Sequence, residues 1–130
     1  MDYLKWKMID FKQGFVKLAP ITKEDLSEAL ISMFLEDEEV LEAFRGMRDF
    51  IVFTNKRVIA ANVQGLTGKK VDYTSLPYKS VQAYSIETSG SSDRDSEMEL
   101  YISLIGKVRF EIKGQFDIVS FNKLISQYIL

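Results

Sequence analysis

The chain of 130 residues has the length of one domain, and its 46% hydrophobic share supports a buried core without covalent staples. It contains no cysteine and no histidine, which excludes disulfides, thiolate nucleophiles, the commonest zinc ligands and every serine–histidine triad. The net charge of −2, from 17 basic and 19 acidic side chains, argues against nucleic acid as a partner, because phosphate-backbone binding needs a dense basic face.

Any catalysis would have to run on carboxylates, lysine or tyrosine. The expectation is a non-enzymatic protein with no catalytic residues, cofactor or metal. The opening MDYLKWKMIDFK lacks the apolar run of a secretory signal, and no apolar segment approaches membrane-spanning length. A cytoplasmic location is expected.

Residues 1–20 read in two ways. Leu4, Met8, Phe11 and Phe15 share a helical face, whereas Leu4, Trp6 and Met8 alternate with Lys5 and Lys7 as in a strand, and Gly14 interrupts both patterns. An arm packed on the domain or on a neighbouring subunit is expected. The alternative is an interfacial membrane helix with lysines around Trp6, which Asp2 and Asp10 weaken. Next, Thr22 and Asp25 approximate a capping box, and Leu26, Ala29, Leu30 and Met33 form one apolar stripe, so a helix is predicted. The acid run Glu36-Asp37-Glu38-Glu39 ends it and reads as a solvated connection. Residues 1–35 are thus an N-terminal arm and helix ahead of a domain over 36–130.

From Val40 the period changes to two. VLEAFRG is a strand closed by Gly46, and DFIVFTNKRVIAANV is a hairpin around Asn55-Lys56, where asparagine tolerates positive φ. KKVDYTSLP and VQAYSIET are two more strands, and SGSSDRDSE is a polar loop. In the last hairpin Met98, Leu100, Ile102 and Leu104 share one face, as do Val108, Phe110 and Ile112. A three-residue loop at Ile105-Gly106-Lys107 is predicted, opposing Leu104 to Val108, Ile102 to Phe110 and Glu99 to Lys113, with Gly106 as the left-handed residue. Asp117 starts a C-terminal helix whose stripe is Ile118, Phe121, Leu124 or Ile125, and Tyr128.

Two motifs suggest ligands and fail on spacing. GLTGKK has glycines too close for a P-loop, Lys70 where Ser or Thr belongs, and a strand after it, so Gly65 and Gly68 read as turn residues. Asp93, Asp95 and Glu97 start like a calcium loop, but Met98 and Leu104 occupy the positions of the required Gly and Glu.

Residues 53–81, FTNKRVIAANVQGLTGKKVDYTSLPYKSV, resemble the signature of the bacterial pleckstrin-homology-like family. SIETSG, ELYISLIG and LISQYIL resemble its later segments, so the resemblance covers about residues 36–130. It implies a mainly β, partly open antiparallel barrel of seven strands capped by the C-terminal helix, with no known catalysis. It also implies a cyclic homo-oligomer that closes into a ring, a pentamer being the expected copy number, and a polar surface for an unidentified protein partner. The solvent side of the last hairpin, Glu97, Glu99, Arg109 and Glu111, is the expected partner surface.

The alternative function is a peripheral membrane or anionic headgroup-binding module working through Arg45, Arg48, Lys56 and Arg57. The short loop at Gly46-Met47-Arg48 and the acidic balance of the chain count against lipid. This alternative gains if the four basic residues gather with Lys69 and Lys70 at one end of the barrel.

Overall fold

The computed structural model describes residue 11 and residues 14–64, 70–90 and 95–130. Strands β1 (Phe15–Ile21), β2 (Val40–Arg45), β3 (Asp49–Thr54), β4 (Arg57–Gln64), β5 (Lys70–Pro77), β6 (Val81–Glu87), β7 (Ser96–Ile102) and β8 (Gly106–Ile112) lie in one sheet, ordered β5-β4-β3-β2-β1-β8-β7-β6. The sheet is not closed: β5 and β6 are its two free edges. A one-turn helix, α1 (Glu28–Ile31), and a longer one, α2 (Ile118–Ile129), complete the fold.

The seven strands expected from Val40 onward are present, and β1 is an eighth that the alternation did not reveal. The reason is local. Phe15 and Leu18 both point into the core, three residues apart, because Lys17 takes a left-handed conformation (φ 55°) and the register shifts between them. The first half of β1 runs parallel to β8, and its second half, Ala19 to Ile21, runs antiparallel to β2. This one strand therefore joins the β2–β5 and β6–β8 halves of the sheet.

The predicted helix over the Thr22–Met33 stretch is corrected to two short pieces, a 3-10 turn at Lys23–Asp25 and α1. Asp25 reaches back to the Thr22 N–H at 3.1 Å as expected. Leu26 then turns extended, and the Ser27 hydroxyl accepts the Leu30 N–H at 3.1 Å, starting a second helix in the middle of the stripe. Leu26 and Leu30 still bury, on Ala43, Val52 and Ile59, so this segment covers the outer face of β2–β4. Both faces of that half-sheet are apolar, since Phe44, Ile51, Phe53, Val58 and Ala60 line its inner face.

The inner core is aromatic. Phe53 meets Phe121 at 4.9 Å and Phe110 at 5.3 Å between ring centroids, both edge-on, and Phe15 stacks on Phe110 at 5.5 Å. Asp117 caps α2 by accepting the Ser120 N–H at 3.0 Å, and Ile118, Phe121 and Ile125 drive the helix into this core.

The register of the last hairpin is also corrected. Its loop has three residues, Ser103 to Ile105, so Ile102 faces Gly106, Leu100 faces Val108 and Glu99 faces Arg109. The apolar faces stay together because the displacement keeps parity. Gly106 is left-handed (φ 98°) as expected, and Leu104 is too (φ 71°). At the β3–β4 turn Asn55 is not left-handed; its side chain instead accepts the Glu39 N–H at 2.8 Å and donates to the Asp37 carbonyl at 2.9 Å.

Candidate functional site

The signature stretch around Thr54-Asn55-Lys56-Arg57 builds a buried polar knot. Glu38 is buried rather than solvated, its side chain 0% exposed. One carboxylate oxygen accepts the Leu35 N–H at 3.1 Å and Arg57 Nη2 at 2.8 Å; the other accepts Arg57 Nε at 2.9 Å and the Thr54 hydroxyl at 2.6 Å. Burial pushes the Glu38 carboxyl up, but the hydrogen bonds from Arg57, Thr54 and the Leu35 amide outweigh it and hold its pKa at about 2. Arg57 also donates to the Ser75 hydroxyl at 3.0 Å and the Met33 carbonyl at 3.1 Å. The Tyr78 hydroxyl donates to the Thr54 carbonyl at 2.6 Å; burial and then the Glu38 charge raise its pKa. These bonds clamp residues 33–39 onto the β3–β4 turn.

The four basic residues expected at an anion site divide between two ends of β3. Arg45 and Arg48 flank the β2–β3 turn, with the Arg45 guanidinium 5.7 Å from the Phe50 ring centroid. Lys56 and Arg57 follow the other end, roughly 17 Å away at about 3.4 Å per strand residue. Lys56 pairs with Asp37 at 3.2 Å, and Arg57 is spent on Glu38. Lys70, opposite Gln64, shares the Arg45 end, whereas Gly65, Gly68 and Lys69 lie outside the described residues.

The four residues expected at a partner surface are neighbours in the fold. Glu97, Glu99, Arg109 and Glu111 lie side by side on the outer face of β7 and β8, with Arg109 bonded to Glu97 and to Glu111 at 3.0 Å each. The hydrogen bond and charge of Glu97 raise the Arg109 pKa further. Strand β6 extends this face, placing Ala83 opposite Tyr101, Ser85 opposite Glu99 and Glu87 opposite Glu97. An open groove of about 220 Å³ is lined there by Ala83, Tyr84, Ser85, Glu99, Tyr101 and Lys107. The β6 contribution escaped sequence reasoning, because only the register reveals which β7 residues its small side chains uncover.

Asp93 of the calcium-like run lies outside the described residues; Asp95 accepts the Gly114 N–H at 2.9 Å and Glu97 is engaged by Arg109. Among the described residues no group of three or more acids is placed to hold a metal, and no helix is long and apolar enough to cross a membrane. Glu42 is the one described carboxyl pushed up, by burial on β2 against the pull of the Ala43 amide.

Comparison with known proteins agrees with this architecture. The bacterial PH domain model matches residues 11–129. The uncharacterized protein YjqA of Bacillus subtilis (strain 168) is 49% identical over 78 residues, 60% of this chain and 62% of that protein, so the match spans just under two thirds of YjqA. A second uncharacterized B. subtilis protein, YozO, is 29% identical over 80 residues, 62% of this chain and 69% of its own length. A DUF1696-family protein with a pleckstrin-homology domain from Shewanella loihica superposes with a TM-score of 0.74 at 37% identity, covering 88% of this chain and 99% of that one. A pleckstrin-homology domain from Shewanella amazonensis gives 0.61 at 38% identity, with coverages of 85% and 90%. An eight-stranded open sheet with its aromatic core sealed by a C-terminal helix, matched along nearly the whole chain, places this protein in the bacterial PH domain family.

Proposed function

We propose that this chain is a non-catalytic interaction module that assembles side by side with copies of itself into a closed ring and displays the outer face of β6, β7 and β8 to a protein partner. The observation that carries the assembly is a set of exposed apolar side chains on two different elements. At and after α1, Ile31, Met33 and Leu35 are 43%, 41% and 56% exposed; on α2, Val119 and Tyr128, on opposite sides of the helix, are 57% and 40% exposed. Exposed apolar surface of this kind marks interaction sites on small domains. Dissimilar apolar surfaces on two elements suit a head-to-tail contact, which closes into a ring when its rotation divides a full turn. A pentamer is the expected closure. The headgroup-binding alternative has less support, since its four cations occupy two ends of β3 and Lys56 and Arg57 are engaged by Asp37 and Glu38.

The test is the solution mass by light scattering of the full chain and of two variants, Met33→Glu/Leu35→Glu and Val119→Glu/Tyr128→Glu. The full chain is expected as a discrete multiple of 15.0 kDa and each variant as a monomer. Mixing the two variants leaves one intact contact per pair and is expected to give a heterodimer. A monomeric full chain at tens of micromolar overturns the reading.

A further inference from the structure

We infer that the free edge of β6 is a docking site for an extended segment of a partner protein that carries lysine or arginine at alternate positions. This deepens the partner-display part of the reading above and does not depend on self-assembly.

The two free edges of the sheet differ. Edge strands are normally guarded by lysine, proline or inward charge. Strand β5 carries Lys70, Asp72 and Pro77. Strand β6, Val81-Gln82-Ala83-Tyr84-Ser85-Ile86-Glu87, has neither lysine nor proline, and its one irregularity lies between Val81 and Ala83. The run from Ala83 to Glu87 pairs regularly with β7 on one side and ends the sheet on the other. It therefore offers main-chain donors and acceptors to an added strand.

The outer face of that edge also specifies charge. Glu87, Glu97 and Glu111 are directly opposite one another across β6, β7 and β8, an unfavourable row of like charges. Arg109 offsets the β7–β8 side through Glu97 and Glu111. Glu87 enters no ion pair among the described residues, and Glu99, which feels the charge of Arg109 opposite it on β8, makes no salt bridge and borders Ser85 of β6 on its other side. A strand laid along β6 places every second side chain on this face. A basic residue opposite Glu87 meets its carboxylate directly. A second one, two positions along, extends over Ser85 toward Glu99, and its aliphatic stem lies in the groove against the half-exposed Tyr101 ring. Consecutive basic residues would point to opposite faces and supply only one such contact.

The test is fluorescence anisotropy with the full chain and three labelled heptapeptides: alternating lysine–valine, the same composition with its lysines adjacent, and alternating glutamate–valine. The alternating lysine peptide is expected to bind saturably, to lose about tenfold in affinity in Glu87→Gln/Glu99→Gln, and to weaken with added salt. Amide NMR shifts are expected to concentrate at residues 83–87. No saturation by about 1 mM, equal affinity for the adjacent-lysine or glutamate peptide, or unchanged binding by the double variant overturns the inference. The solution mass of the double variant reports self-assembly separately, so failure of one reading is not mistaken for failure of the other.

Discussion

Glu38 and Arg57 meet fork to fork, with Nε at 2.9 Å from one carboxylate oxygen and Nη2 at 2.8 Å from the other, across a separation of nineteen positions in the chain. The carboxylate is buried and each of its oxygens takes a second donor, Leu35 N–H or the Thr54 hydroxyl. Removing one partner from such a pair leaves an uncompensated buried charge, which costs far more than the pair itself contributes. Arg57→Ala is expected to lower stability by about 3–5 kcal/mol, read as a drop in the urea midpoint. Arg57→Lys, which loses the fork geometry, is expected to recover only part of that. The apolar exchange Glu38→Leu/Arg57→Met is expected to be milder than Arg57→Ala. If all three are equal, the knot acts by volume and not by charge.

The same carboxylate is expected to contribute to the acid sensitivity of the fold. Its pKa is about 2 when folded against 4.5 for the ordinary group, so its contribution is present in full above pH 4.5 and is lost as the pH falls toward 2. That difference corresponds to about 3 kcal/mol. Stability measured by urea melts from about pH 6 down to about pH 2.5 is expected to decline steeply in the parent chain and to flatten in Glu38→Gln. Parallel declines in the two proteins would assign the acid sensitivity elsewhere.

Much of the fold was legible because period and chemistry agree from Val40 onward: alternation in β7 and β8, turn residues between strands, and an Asp117-capped amphipathic helix. What was hidden is where one residue breaks a period. Lys17 spaces Phe15 and Leu18 as a helix would, although they belong to a strand. Ser27 has the chemistry of a cap and sits inside an apolar stripe, so one helix becomes two. Glu38 stands in a run of four acids that looks solvated, and only the tertiary arrival of Arg57 makes its burial tolerable. The polar outer face of β7 and β8 was legible from alternation alone; its β6 border depends on pairing register, which local sequence does not carry.

Gly14 shows how tightly β1 lies on β8. It is left-handed (φ 69°), and a Cβ there would come within 2.8 Å of the Arg109 carbonyl oxygen and 2.9 Å of the Arg109 Cβ. The close contact with a backbone oxygen leaves little room for relaxation. Gly14→Ala is expected to cost about 2 kcal/mol or more, combining left-handed strain with displacement of β1. Hydrogen exchange is expected to locate the loss at β1 and at the Lys113 N–H, which donates to the Leu18 carbonyl at 2.9 Å. A wild-type melt would show that β1 is not held at this point.

Leu104 in the β7–β8 loop and Gly106 at the start of β8 are both left-handed, with opposite expected responses to substitution. Leu104 adopts φ 71° with its side chain fully exposed, so it carries a left-handed conformation with no burial in return. Strain of this kind is worth about 1–2 kcal/mol for a residue with a Cβ, and glycine gives back about 0.5–1 kcal/mol as unfolded-chain entropy. Leu104→Gly is therefore expected to stabilise by about 0.5–1 kcal/mol, and Leu104→Asn, which tolerates the same region, by a similar amount. Gly106 sits at φ 98° with open space around its missing Cβ, so Gly106→Ala is expected to destabilise through backbone strain alone, by about 1 kcal/mol. The readout is the urea midpoint at constant m-value. A loss of stability in Leu104→Gly would mean that the Leu104 side chain is held by a contact in solution, and the solution mass of that variant would then show whether the contact is with another copy of the chain.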